Sequence, residues 1–415
     1  MAYRRILSLA LVALMALTVL PVLVAAQSDE PTMSTGIRPD APEYGVRGQF
    51  SVGVRHQVID GDTPLEMSVW YPALNDGSSD EAISYPYAIK MDVPPGMTAS
   101  VFGRALIDAP YDLSTGPYPV VVLSHGFILG RTMYAWHAEH LASHGFVVIA
   151  PEHPEQLDDT LSDFWRSAVD RPQDIVTVLN YADEQAQTGG VFEGLIDTNS
   201  VAVVGHSLGG YTSLALAGAR YDLDSLQTLC DSARAENDPS VWLCDMILPY
   251  AAEMADLAGL ESVPEGLWPA RGDARVDAVV SMAGDAFFFN DAGLAEITVP
   301  VMAIGGTADT GSPYTWGTLP TYEHVSSSTR ALVAFENAEH MIFGSTCDAI
   351  PFFAEIGFYQ FCSDTVWDMD RAHDLINHFT TAFLLAELKD DETAAAALAP
   401  EAVSFPGVTY DAQGS

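Results

Sequence analysis

The chain has 415 residues, 48% hydrophobic, 10% aromatic and 18% charged, a composition that supports one large buried core and excludes intrinsic disorder, collagen and coiled coil. Charge is lopsided: 17 Lys+Arg stand against 56 Asp+Glu for a formal net of −39, and Lys90 and Lys389 are the only two lysines. A surface of that sign repels phosphate backbones and anionic membranes, so nucleic acid is excluded as a partner, and the acidity reads as habitat rather than function.

At the start of the chain, Arg4 and Arg5 precede an apolar run from Ile6 to Ala26 that ends in Val24-Ala25-Ala26. That is the pattern of a secretory signal peptide over 1–26, and it predicts a secreted, extracellular or periplasmic protein. The alternative is a retained anchor, since the run is long enough to span a bilayer; nothing later in the chain resembles a membrane span. Residues 27–45 are polar and Pro-rich and read as a flexible leader to a domain over 46–388. Gln49–Arg55 and Leu65–Tyr71 predict an opening hairpin around Asp60-Gly61-Asp62.

Six short apolar runs follow: Pro119–Ser124, Phe146–Ala150, Val201–Gly205, Val276–Ser281, Pro300–Ile304 and Ala331–Phe335. Runs without alternation belong to strands buried on both faces, as in a parallel sheet. Segments with helical spacing separate them: Thr132–His144, Pro172–Ala186 with proline in its first turn, Leu208–Ala219 and Thr365–Leu388. The alternation predicts an α/β fold with a mainly parallel sheet flanked by helices. Residues 221–273 break the rhythm and read as a mostly helical cap insertion; 389–415 reads as an unstructured C-terminal tail. Four cysteines in an exported chain predict two disulfides, and short loops favour the local pairs Cys230 with Cys244 and Cys347 with Cys362.

The most specific motif is Gly205-His206-Ser207-Leu208-Gly209, a G-x-S-x-G directly after one apolar run and directly before a helix. A serine at such a sharp turn is exposed at the sheet end, and flanking glycines let strand and helix approach. Its hydroxyl needs a base to take its proton and a carboxylate to fix the base. Downstream, His340 stands in a loop just after a predicted strand, whereas His324, His373 and His378 fall in helical or polar surface context. Asp309 is the expected acid, with Asp285 at the neighbouring strand end as the alternative. Oxyanion stabilisation needs two backbone N–H donors, predicted at Leu208, after the nucleophile, and Phe127, in the loop after Pro119–Ser124; His125 reads as a brace for that loop. His137, Glu139, His140 and His144 read as a solvent-facing helix stripe rather than a metal site. No metal is expected, and the chemistry needs no cofactor.

The stretches SHGF, APEHPEQ, VVGHSLGGYTSLALAG, IGGTADTGSPY and AEHMIFG together resemble the serine α/β-hydrolases grouped with the platelet-activating-factor acetylhydrolases, the dienelactone-hydrolase-like esterases and the secreted polyester hydrolases. The resemblance covers roughly residues 50 to 385. It implies Ser207 as nucleophile, His340 as base, and Phe127 and Leu208 as oxyanion donors. The acid it implies differs by branch: the position of Asp285 in the platelet-activating-factor branch, that of Asp309 in the other two. The expectation is a secreted carboxylic-ester hydrolase on a short-acyl lipid ester of the platelet-activating-factor type, with polyester or aryl-ester hydrolysis as the alternative. Rivals are a peptidase and a non-catalytic binding protein of the same fold.

Overall fold

Each of the six apolar runs forms a strand whose side chains are buried on both faces, and these strands hold the middle of the molecule. The computed structural model describes residues 40–414 apart from 62, 78, 92, 94, 95 and 156–161. The signal peptide, most of the leader and Asp62 of the hairpin turn lie outside the described residues.

In chain order the strands are β1 (Ser51–Ile59), β2 (Leu65–Ala73), β3 (Ile83–Tyr87), β4 (Ala99–Gly103), β5 (Leu106–Ile107), β6 (Tyr118–Ser124), β7 (Val147–Pro151), β8 (Ile196–His206), β9 (Ala278–Met282), β10 (Val301–Gly306), β11 (Arg330–Phe335) and β12 (Val408–Gln413). Ten of them form one sheet in the order β12-β11-β10-β9-β8-β6-β7-β2-β1-β5, and β3 pairs with β4 apart from it. From β7 to β11 all neighbours are parallel, while β2 and β12 join antiparallel at either side. The strand order reverses at β6, which has β7 on one side and β8 on the other. In open α/β sheets, crevices for ligands form at such a reversal, beyond the carboxyl ends of the strands.

The main helices are α1 (Ala135–Ser143), α2 (Ser162–Gln185), α3 (Leu208–Leu216), α4 (Leu223–Glu236), α5 (Val241–Ile247), α6 (Ala251–Leu257), α7 (Met369–Lys389) and α8 (Glu392–Ala397). The segment read as a cap carries α4 to α6, with a disulfide from Cys230 to Cys244 joining α4 to α5; a second disulfide joins Cys347 to Cys362.

Three expectations are corrected. Pro172 does not open its helix but sits inside α2, which starts ten residues earlier. A proline has no N–H for the carbonyl four residues back, and here the hydroxyls of Tyr211 and Tyr221 both donate to Ala168 O at 2.5 Å, filling that position. The tail is ordered: α8 is followed by β12, which pairs with β11 from Val408 opposite Phe335 to Gln413 opposite Arg330. The stripe His137, Glu139 and His140 is buried rather than solvent-facing, as are His373 and His378. Each of the three finds a partner: His137 Nδ1 donates to Asn377 Oδ1 at 2.8 Å, Glu139 accepts from Tyr85 at 2.6 Å, and His140 Nε2 donates to Tyr44 O at 2.8 Å.

Candidate active site

Ser207 directly follows β8 and caps α3 with φ 58° and ψ −123°, a conformation costly for a residue with a side chain. The surroundings hold it there. Its N–H donates to Met282 O of β9 at 2.9 Å, and its carbonyl accepts from Tyr211 N at 3.0 Å. A Cβ at Gly205 would stand 2.1 Å from Gly209 O, and one at Gly209 would stand 2.0 Å from Ser124 O. Both positions therefore require glycine, because β8, α3 and the end of β6 converge on the serine.

His340 follows β11, and its Nδ1 donates to Asp309 Oδ2 at 2.8 Å. The other oxygen, Asp309 Oδ1, accepts the backbone N–H groups of Gly311 and Ser312, each at 2.8 Å, so the carboxylate is fixed on both sides. Burial disfavours the imidazolium, but the charge and hydrogen bond of Asp309, then the charges of Asp285 and Glu339, outweigh it and raise the pKa of His340 above its ordinary value. Asp285, at the end of β9, is buried and accepts instead from Ser312 Oγ at 2.5 Å. Burial pushes its pKa up to about 6, against the lowering effect of that hydroxyl. Of the two aspartates, Asp309 is the one hydrogen-bonded to His340.

Ser207, His340 and Asp285 line one cleft of about 330 Å³ whose walls are otherwise apolar. Phe127, Ile128 and Leu129 come from the loop after β6, Trp242, Leu243 and Met246 from α5 of the cap, and Phe361 from beside Cys362. The amides of Phe127 and Leu208 donate to no acceptor among the described residues. A serine at a helix N-terminus, a carboxylate-oriented imidazole in the same cleft and amides near the serine that meet no acceptor among the described residues can together perform acyl transfer. Among the described residues, no cluster of His, Cys, Asp and Glu could hold a metal ion.

Sequence reasoning missed the groups behind these residues. His206 accepts the hydroxyl of Tyr134 at Nδ1, 2.7 Å away, and donates from Nε2 to His340 O at 3.0 Å, tying the nucleophile turn to the loop of the histidine. Arg171 and Glu155 lie beneath the β6 loop, 1% and 2% exposed. A signal for Arg171 was present: it interrupts the buried stripe Ala168, Ile175, Val178 at helical spacing. His125 braces as expected, accepting His153 N–H at Nε2, 3.0 Å away.

A chlorophyllase family model matches residues 90–233. Cutinase 1 of Thermobifida cellulosilytica is 32% identical over 168 residues, covering 40% of this chain and 60% of the relative. A cutinase of Thermobifida fusca (strain YX) is 32% identical, and the match spans 52% of its length. The chain thus matches between half and two thirds of these relatives' length. A bis(hydroxyethyl) terephthalate hydrolase of Streptomyces coelicolor is 25% identical over 67% of each chain. Among solved structures, a ferulic acid esterase from Streptomyces cinnamoneus superimposes with a TM-score of 0.55 at 20% identity, covering 89% of this chain and 98% of its own. That likeness is one of fold, and the fold is the α/β-hydrolase fold.

Proposed function

We propose that this α/β-hydrolase-fold chain is a secreted carboxylic-ester hydrolase of cutinase type, acting on neutral aryl or polyester-like esters. The carrying observation is Ser207 in one cleft with His340, whose Nδ1 is held by Asp309 at 2.8 Å. With Nδ1 engaged, Nε2 is the nitrogen left to take the serine proton. Ser207 Oγ attacks the ester carbonyl, His340 receives the proton and Asp309 stabilises the imidazolium. The amides of Phe127 and Leu208 receive the oxyanion. Collapse breaks the bond to the alkoxide, which leaves as alcohol with the proton from His340. Water, deprotonated by the same imidazole, then cleaves the acyl-enzyme to acid and free serine.

The polyester alternative is favoured over the platelet-activating-factor reading. Its support is the cutinase and terephthalate-ester relatives together with the cleft itself, where among the described residues no Lys or Arg lines the wall to meet a phosphodiester. Secretion is part of the proposal and rests on the apolar N-terminal run; among the described residues no helix is long and apolar enough to cross a membrane. The test is hydrolysis of p-nitrophenyl butyrate and bis(hydroxyethyl) terephthalate by the protein and by Ser207→Ala. A loss of about 10³-fold or more supports the reading, and equal rates contradict it. Faster turnover of a matched anilide would favour the peptidase rival.

A further inference from the structure

The loop after β6 is held from below by charges that the proposed chemistry does not use. Arg171 Nη1 donates to His125 O at 2.5 Å and its Nη2 to Gly126 O at 3.3 Å, while Nε and Nη2 also meet Glu155 at 2.5 and 2.7 Å. Glu155 Oε2 in turn accepts the N–H of Ile128 at 3.0 Å. Ile128 is β-branched and has φ 59°, a conformation that needs such support. Gly126 O also accepts His125 Nδ1–H at 2.7 Å and Leu129 N–H at 3.1 Å.

Three of these donors, Arg171 Nη2, His125 Nδ1 and the N–H of Leu129, hold the Gly126 carbonyl in place. In a trans peptide the carbonyl and the N–H of the next residue point in opposite directions. The Phe127 amide therefore faces away from Arg171, and Phe127 shares its cleft with Ser207. A flip of the Gly126–Phe127 peptide would exchange that donor for a carbonyl oxygen. Burying a guanidinium and a carboxylate together is a poor way to gain stability, which makes orientation the better account of their presence. We infer that the buried Arg171–Glu155 pair is a positioning device that sets the orientation of the Gly126–Phe127 peptide, so that its N–H is available to an oxyanion before substrate arrives.

This rests on the ester-hydrolase reading above, and the test separates the two. Arg171→Lys keeps the charge opposite Glu155, but one ammonium cannot serve two carbonyls and a carboxylate in the plane that the guanidinium spans. Arg171→Met/Glu155→Leu removes both charges together, a change that often leaves a buried site as stable as before. For each, kcat and KM on p-nitrophenyl butyrate, inhibition by an alkyl trifluoromethyl ketone and the thermal transition by circular dichroism are measured. The ketone forms a tetrahedral adduct whose oxygen uses the same donors. The expected result is a loss of kcat on the order of 100-fold, the size of one lost oxyanion donor, with KM within about twofold and ketone affinity falling in parallel. Unchanged kcat in a folded variant overturns the inference, as does a fall in kcat that leaves ketone affinity intact. If the unaltered protein leaves the ester untouched, the functional reading fails first and this inference with it.

Discussion

The backbone at Ser207 stands at φ 58° and ψ −123°, which costs on the order of 1–3 kcal/mol, and neighbouring residues over-determine it through Met282 O, Tyr211 N and the absent side chains of Gly205 and Gly209. The two aspartates nearby differ in partners, His340 for Asp309 and Ser312 for Asp285, and the proposed mechanism gives them different tasks for that reason. Asp309→Asn presents an amide N–H or a weaker acceptor to His340 Nδ1, and kcat should fall by about 10³–10⁴-fold with little change in KM. Asp285→Asn leaves Asp309 in place and removes one of the charges that raise the pKa of His340. The proposed mechanism needs His340 neutral as the base, so activity should rise with pH as it loses its proton. Without Asp285 that rise should move to lower pH, while the plateau changes only mildly. A pH profile of kcat/KM on a chromogenic ester for both variants decides it; a crippled Asp285→Asn beside an active Asp309→Asn would reverse the assignment.

Two of the elements that wall the cleft carry a disulfide. Cys244 lies on α5 between Trp242 and Met246, and Phe361, also in the lining, neighbours Cys362, whose partner Cys347 lies seven residues after His340. Closing a loop of that size is worth up to ~3 kcal/mol in the chain-entropy model. Its effect on the site should be larger, because a misplacement of about an ångström costs on the order of 100-fold in rate. Cys347→Ser should therefore lose ester turnover at a temperature where circular dichroism is still native; simultaneous loss of both would contradict this. At this scale the sequence was legible where burial is two-sided. The runs of β6 to β11 announced themselves because no face meets water. β12 did not, since Thr409, Asp411 and Gln413 alternate with half-buried residues on a strand that closes the sheet. The start of α2 was hidden because proline normally opens a helix, and the tyrosines that replace its missing hydrogen bond come from elsewhere in the chain. That the candidate serine, histidine and aspartate stand at neighbouring strand ends was legible from their places after the apolar runs. The pairing of Arg171 with Glu155 was not, because nothing in the sequence says that a polar residue in a buried helix stripe meets a carboxylate 16 residues earlier.

For the molecule as a whole, a large set of buried neutral histidines governs the response to acid. Burial lowers the pKa of His137 and His378 to about 4, and depresses His125, His140, His153 and His206 well below the ordinary value. In the unfolded chain each binds a proton near pH 6.5, so the unfolded state gains protons first and stability falls as pH drops from there toward 4. At about 1.4 kcal/mol per pKa unit, His137 or His378 alone contributes up to ~3 kcal/mol of loss. The formal net charge of −39 works the other way, since acid relieves self-repulsion, and so do Asp285 and Asp174, whose burial raises their pKa to about 6 and about 7 so that the folded state takes up their protons first; salt at 0.15 M screens surface charges beyond roughly 8 Å and leaves the buried groups untouched, and the histidines are the more numerous. The melting temperature in 0.15 M salt should fall steeply between pH 6.5 and 4.5, and His137→Gln should reduce that slope; a flat profile would contradict the account.

The central claim, that Ser207 is the nucleophile of an ester hydrolase, is tested most directly by trapping it. The protein is treated with diethyl p-nitrophenyl phosphate, and residual esterase activity is followed alongside peptide mass spectrometry. The account predicts one diethylphosphoryl group per chain, on Ser207, rising in step with the loss of activity, and a far slower reaction in Asp309→Asn. Full activity in labelled protein, or inactivation with the label on another residue, would contradict it.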